Sequence, residues 1–84
     1  YVSALHEIGH IIGPNQSANN DTMEKEIGAW KYAMSVAIVW TDTATNIMKR
    51  ALLSYGMPSS HWDQVYNECC AYADAYKSLE VDVA

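Results

Sequence analysis

Apolar residues recur along the chain at the three-and-four spacing of helices, in blocks separated by polar or glycine–proline breaks. Val2, Leu5, Ile8 and Ile12 form the first stripe, and Gly13-Pro14 ends it. His6 and His10 fall on a different side of that helix, so one face is expected to pack and another to present the imidazoles. The polar segment from Gly13 to Asp21 is long enough to reverse the chain and lay a second helix over the first. Asn20, Asp21 or Thr22 caps that helix, with Glu24 in capping-box register to Asp21. Its buried stripe reads Ile27, Trp30, Met34, Ala37 and Ile38, and its end falls near Val39 or Trp40. Gly28 costs up to about 1 kcal/mol against alanine inside a helix, which points to close packing on the first helix.

Thr41-Asp42 cap a third helix with apolar positions Ala44, Ile47, Met48, Ala51, Leu52 and Tyr55. Gly56 sits where a helix C-terminus favours glycine, and Pro58 blocks continuation. Ser59 or Ser60 starts the last helix, Ser60 and Asp63 having capping-box spacing. The stripe of that helix is Trp62, Val65, Tyr66, Cys69, Ala73 and Tyr76, and the tail from Leu79 onward is expected to loosen. No segment alternates like a strand. The expectation is an all-α fold of about four helices, residues 1–84 forming a single small helical domain.

Composition narrows the function classes. Half of the 84 residues are hydrophobic and 18% are charged, a globular balance. Net charge is −5 with only five basic residues and no basic stripe, which argues against nucleic acid or an anionic membrane surface as partner. The longest apolar run, Ala33 to Trp40, is broken by Ser35 and is far too short to span a bilayer. Cys69 and Cys70 are adjacent, point about 100° apart on a helix and cannot form an ordinary disulfide, so a reducing, cytoplasmic compartment is expected.

One stretch reads as chemistry. His6-Glu7-Ile8-Gly9-His10 is a complete H-E-x-x-H. Histidines four apart on a helix share a face, roughly 5–6 Å apart at Cβ, and both can reach one zinc ion at about 2.0–2.1 Å. Glu7 follows round the turn, close enough to take a proton from a water held by the metal without being a ligand. A catalytic zinc needs a third protein ligand. In the metzincin pattern a histidine would follow a glycine matching Gly13, but that position holds Gln16, a poor zinc ligand. In the gluzincin arrangement the third ligand is a glutamate on the next helix, and spacing leaves both Glu24 and Glu26 open.

Here the sequence resembles the ImmA/IrrE-type and related phage-borne metallopeptidases. His6-Glu7-Ile8-Gly9-His10 is similar to their H-E-L-G-H. Glu26, Ala29, Tyr32 and Ala33 fall on the pattern of their glutamate helix, E-x-x-A-x-x-(F/Y)-A. The resemblance covers about the first 33 residues. It implies that His6, His10 and Glu26 bind Zn2+, that Glu7 is the general base, and that the chain is part of a longer metallopeptidase domain. The implied substrate is a peptide or protein, with a repressor-like regulator as one candidate. Two departures stand out. Trp30 occupies the position where the family often carries Asn or Asp to orient a ligand histidine. Zincins usually carry a small sheet before the H-E-x-x-H helix to hold substrate as an extended strand, and none of residues 1–84 reads as that sheet.

Two other readings belong beside this one. The chain is alternatively a helical interaction or regulatory module with a structural or vestigial metal site. Deformylase-type hydrolysis also uses H-E-x-x-H, but needs a cysteine ligand upstream of Tyr1. His61 beside Trp62, and the phenols of Tyr32, Tyr55 and Tyr66, are each candidates to meet a substrate oxyanion, with capping or core packing the simpler expectation for all four. Asp42, Asp63 and Glu68 read as caps or solvated charges.

Overall fold

A computed structural model describes the backbone of residues 1–83 and the side chains of residues 1–79. The order is α1 (Val2–Ile12), α2 (Thr22–Val36), α3 (Asp42–Ser54), a 3₁₀ turn (Ser59–His61) and α4 (Trp62–Val83). The fold is all-α, with no strand among the described residues. None of these helices is long and apolar enough to cross a membrane.

The helices are organised around α2, which packs against α1 on one side and α4 on the other. Its start is built by a complete capping box. Asp21 Oδ1 accepts from the Glu24 amide at 2.8 Å, and Glu24 Oε1 accepts from the Asp21 amide at 2.8 Å. Burial on two sides leaves α2 with Glu26, Gly28, Ala29, Trp30, Ala33, Met34 and Ser35 all buried, a wider band than one stripe. Trp30, Met48, Leu52 and Cys69, from three different helices, are the largest fully enclosed apolar side chains. Burial pushes the Cys69 thiol up to about 12, so it is an inert core group and not a nucleophile.

Several sequence expectations are corrected. The buried face of α1 is Val2, His6 and Gly9, with Leu5 half-buried, whereas Ile8 and Ile12 are exposed. The histidines thus lie on the packing face. The cause is Gly9: a Cβ there would sit 2.6 Å from the Ala29 carbonyl oxygen, so the glycine side of α1 closes on α2 and the isoleucines rotate outward. α1 stops because Pro14 holds Gly13 in extended backbone (φ −79, ψ 176), not through a left-handed glycine cap. α2 stops at Val36, short of Val39, and Ile38 is 91% exposed. The run Val36 to Val39 carries three β-branched residues, which weaken a helix end. The freed Ile38 amide donates to Tyr1 Oη at 3.1 Å.

At α4 the expected serine cap is absent. Pro58 is extended and leads into the 3₁₀ turn, closed by His61 N–H donating to Pro58 O at 2.9 Å, and no side chain caps that turn. α4 runs to Val83, and Ala84 lies outside the described residues. The α3 ends match expectation. Thr41 Oγ1 accepts from the Ala44 amide at 3.1 Å. At the other end Gly56 N–H donates to Leu53 O at 3.1 Å and Met57 N–H to Leu52 O at 3.2 Å, a full Schellman pair that also buries Met57. Gly56 has φ +101 and open space around it. Gly56→Ala should therefore cost about 1 kcal/mol through backbone strain alone, read as a fall of about 4–8 °C in the thermal midpoint.

Candidate metal centre

Two helices and the loop between them assemble the site. Because α1 crosses α2 closely at Gly9 and Ala29, the His6 and His10 rings lean over the first turns of α2 and meet Glu26. His6 is buried and Glu26 is 2% exposed, while the His10 side chain is 30% exposed. One oxygen, Glu26 Oε2, lies 3.2 Å from His6 Nε2 and in direct contact with His10 Nε2. The candidate ligand atoms of His6, His10 and Glu26 all lie within 4.8 Å of one another. Glu24, the other carboxylate left open by spacing, is exposed and engaged in the capping box. Its carboxylate is turned to the start of α2, away from the histidines' partner.

The loop supplies the support for His10. Gln16 Nε2 donates to Pro14 O at 2.9 Å and to Lys25 O at 2.7 Å, so the amide cannot flip without setting oxygen against two carbonyl oxygens. Its Oε1 therefore faces His10 Nδ1, at 3.3 Å, and accepts a hydrogen bond from its N–H. A neutral His10 so held carries its lone pair on Nε2, facing the Glu26 carboxylate. Two acceptors in contact require a proton or a cation between them. The same conclusion follows from Glu26 itself, whose Oε1 is buried and has no hydrogen-bond partner. A buried carboxylate with one orphaned oxygen is costly unless a positive charge compensates it. Two imidazole nitrogens and a carboxylate are a donor set that suits zinc.

His6 is held differently. Trp30 stacks on its ring at 4.3 Å between centroids and 20° between planes, and Trp40 meets Trp30 edge-on at 6.4 Å. Trp30 thus orients His6 by stacked area and not by a hydrogen bond. Glu7 is 77% exposed, with Oε1 3.4 Å from His6 Nδ1. That is the ring edge away from Nε2, so in this conformation Glu7 supports His6, and its exposure leaves it free to swing to the open side at His10.

Of the candidate phenols, Tyr55 is the one in the field of the site. The negative charge of Glu26 foremost, and of Glu7 last, raises its pKa above the usual tyrosine value. Tyr66 packs on Trp62 at 5.4 Å, Tyr32 is half-buried on α2, and His61 is exposed in the 3₁₀ turn. Asp42 lies in the first turn of α3 and Asp63 in that of α4, while Glu68 pairs along α4 with Gln64. Sequence reasoning dismissed Gln16 as a failed ligand and assigned Trp30 to the core. The one available signal was that a glutamine three residues past a helix-ending glycine can fold back on that helix.

A scan against protein-family models, a search of curated proteins and a search of solved structures each found no match to this chain.

Proposed function

We propose that the chain is the metal-binding part of a zinc-dependent peptidase of the gluzincin type, with His6, His10 and Glu26 as ligands and Glu7 as general base. The observation that carries this reading is the meeting of three lone-pair donors from two helices, one of them a buried carboxylate with an orphaned oxygen. The resemblance of the H-E-x-x-H and of the Glu26 helix to the ImmA/IrrE-type metallopeptidases supports the same assignment.

When bound, zinc would lower the pKa of its water to about 7 and polarise the scissile carbonyl. The protein does the rest. Glu26 and His6, both buried, fix two directions of approach, and His10 at the half-open edge leaves a side for substrate. Glu7, rotated to that side, accepts the proton of the attacking water on its carboxylate and returns it to the leaving amine nitrogen. The substrate class is a peptide or protein, a repressor-like regulator among the candidates. Two free cysteines, one of them buried, fit a reducing cytoplasmic setting.

A second reading has its own support. Among the described residues no strand offers an edge to an extended peptide, and the deep burial of His6 and Glu26 resembles the enclosure of structural zinc sites. In that version the chain is a helical interaction module stabilised by its metal. Calorimetric zinc titration, with protein hydrolysis followed with and without chelator, tests both. The peptidase reading expects zinc binding and chelator-sensitive cleavage; the module expects binding with a rise in thermal midpoint and no cleavage. In either case Glu26→Gln, isosteric and uncharged, should weaken zinc binding by at least about 100-fold, beyond the 10–100-fold typical of an outer partner. Native-like zinc affinity in Glu26→Gln would remove the three-ligand site.

A further inference from the structure

We propose that Gln16 is the positioning residue for His10, its side-chain oxygen setting the tautomer of the ring. The inference rests on the metal-centre reading and adds a residue which the H-E-x-x-H pattern does not contain.

All three hydrogen-bonding contacts of the Gln16 amide act on the site. Its Oε1 accepts a hydrogen bond from His10 Nδ1–H at 3.3 Å, which leaves Nε2 free to bind a cation. One N–H grips Pro14 O at 2.9 Å and shapes the loop just after α1. The other grips Lys25 O at 2.7 Å, the carbonyl immediately before Glu26 on α2. A single planar amide therefore ties the second histidine to the backbone of the third ligand. Asn15, with φ 63, makes the turn that brings the Gln16 side chain back over His10. The opposite edges of the imidazole separate the roles: Gln16 meets Nδ1 and Glu26 meets Nε2, so Gln16 supports the ligand and is not one. Trp30, stacked on His6, does the corresponding work on the first histidine without a hydrogen bond. The two ligand histidines are thus oriented by unlike means, and only His10 depends on a polar partner from the loop.

Two variants separate positioning from simple loop stability. Gln16→Met keeps length and removes all three contacts; Gln16→Glu keeps an acceptor for Nδ1 but loses both grips on backbone carbonyls. Zinc affinity by calorimetry should fall about 10–100-fold in Gln16→Met and stay within a few-fold of native in Gln16→Glu. Both variants should lower the thermal midpoint of the metal-free protein. A second readout needs no metal. Nitrogen-15 imidazole shifts of the metal-free protein, well above the imidazole titration range, should show His10 protonated on Nδ1 in the native chain and mainly on Nε2 in Gln16→Met. If the two variants lose zinc affinity alike, Gln16 only braces the loop and the proposal fails. If Gln16→Met binds zinc like the native chain, it fails while the metal site stands. If the native chain binds no zinc at all, the metal reading falls, and the His10 tautomer alone then decides for or against Gln16.

Discussion

Replacing Glu7 with glutamine should cut peptide hydrolysis by about 10²–10⁴-fold, the usual contribution of a general base, with zinc affinity close to native. Glutamine has the shape of glutamate but cannot accept the proton of an attacking water. Nothing else about Glu7 should matter much. Its side chain is 77% exposed and contributes no core packing, and it lies outside the group formed by His6, His10 and Glu26. Its contact with His6 Nδ1 survives the change, because the glutamine oxygen still accepts from that nitrogen. Steady-state cleavage of an unfolded protein substrate by zinc-loaded protein, with metal content measured in parallel, gives the result. Unchanged cleavage at equal zinc content would remove Glu7 from the mechanism. Lost zinc would make Glu7 a ligand and not a base.

The largest stability effect is expected at Gly28. An added Cβ would lie 2.0 Å from Pro14 O, 2.8 Å from Pro14 C and 2.9 Å from Asn15 Cβ. The obstacle is mainly loop backbone, which cannot rotate aside as a flexible side-chain tip would. Gly28→Ala sets two effects against each other. Alanine favours the helix by about 1 kcal/mol, while overpacking costs about 1–3 kcal/mol and more where backbone must move. At such a close approach the steric term wins, for a net loss of about 2 kcal/mol and a fall of about 10 °C in the thermal midpoint of the metal-free protein. The displaced loop carries Gln16, so zinc affinity should fall with stability. A Gly28→Ala protein melting at or above the native temperature would mean that the loop does not rest on α2 at that point. Gly28 was expected to admit the first helix; it admits the loop after it, and Gly9 is the residue that brings the helices together.

These glycines show what the sequence could and could not tell. Local rules read well: the Asp21–Glu24 capping box, the Thr41 cap and the Gly56 terminus each depend on a few neighbouring residues, and each is present. The four helices follow from periodicity for the same reason. The orientation of α1 did not, because its apolar residues suggest a buried face of Ile8 and Ile12, and hydrophobicity scoring treats a glycine as neutral. The close crossing at Gly9 and Ala29 outweighs the exposure of Ile8, Ile11 and Ile12 and turns the histidines inward. The choice between Glu24 and Glu26 likewise turned on tertiary geometry, since both lie in the first turns of α2. Glu24 is drawn outward by Asp21, and Glu26 is buried because α1 covers it. Gln16 was legible only as an absence, a ligand position without a ligand, because its partners include a carbonyl nine residues away.

The stack of Trp30 on His6 also makes the site optically addressable. An excited indole is sensitive to charge and to quenching groups in van der Waals contact, and the His6 ring lies face to face with Trp30 at 4.3 Å. The other two indoles stand apart from that contact: Trp40 donates to Thr45 Oγ1 at 2.9 Å, and Trp62 has Lys49 Nζ 5.6 Å from its ring centroid. A change in charge at His6 therefore falls first on one of three emitters. The chain carries a native fluorophore at its candidate centre, and occupancy there can be followed by intrinsic emission without any label.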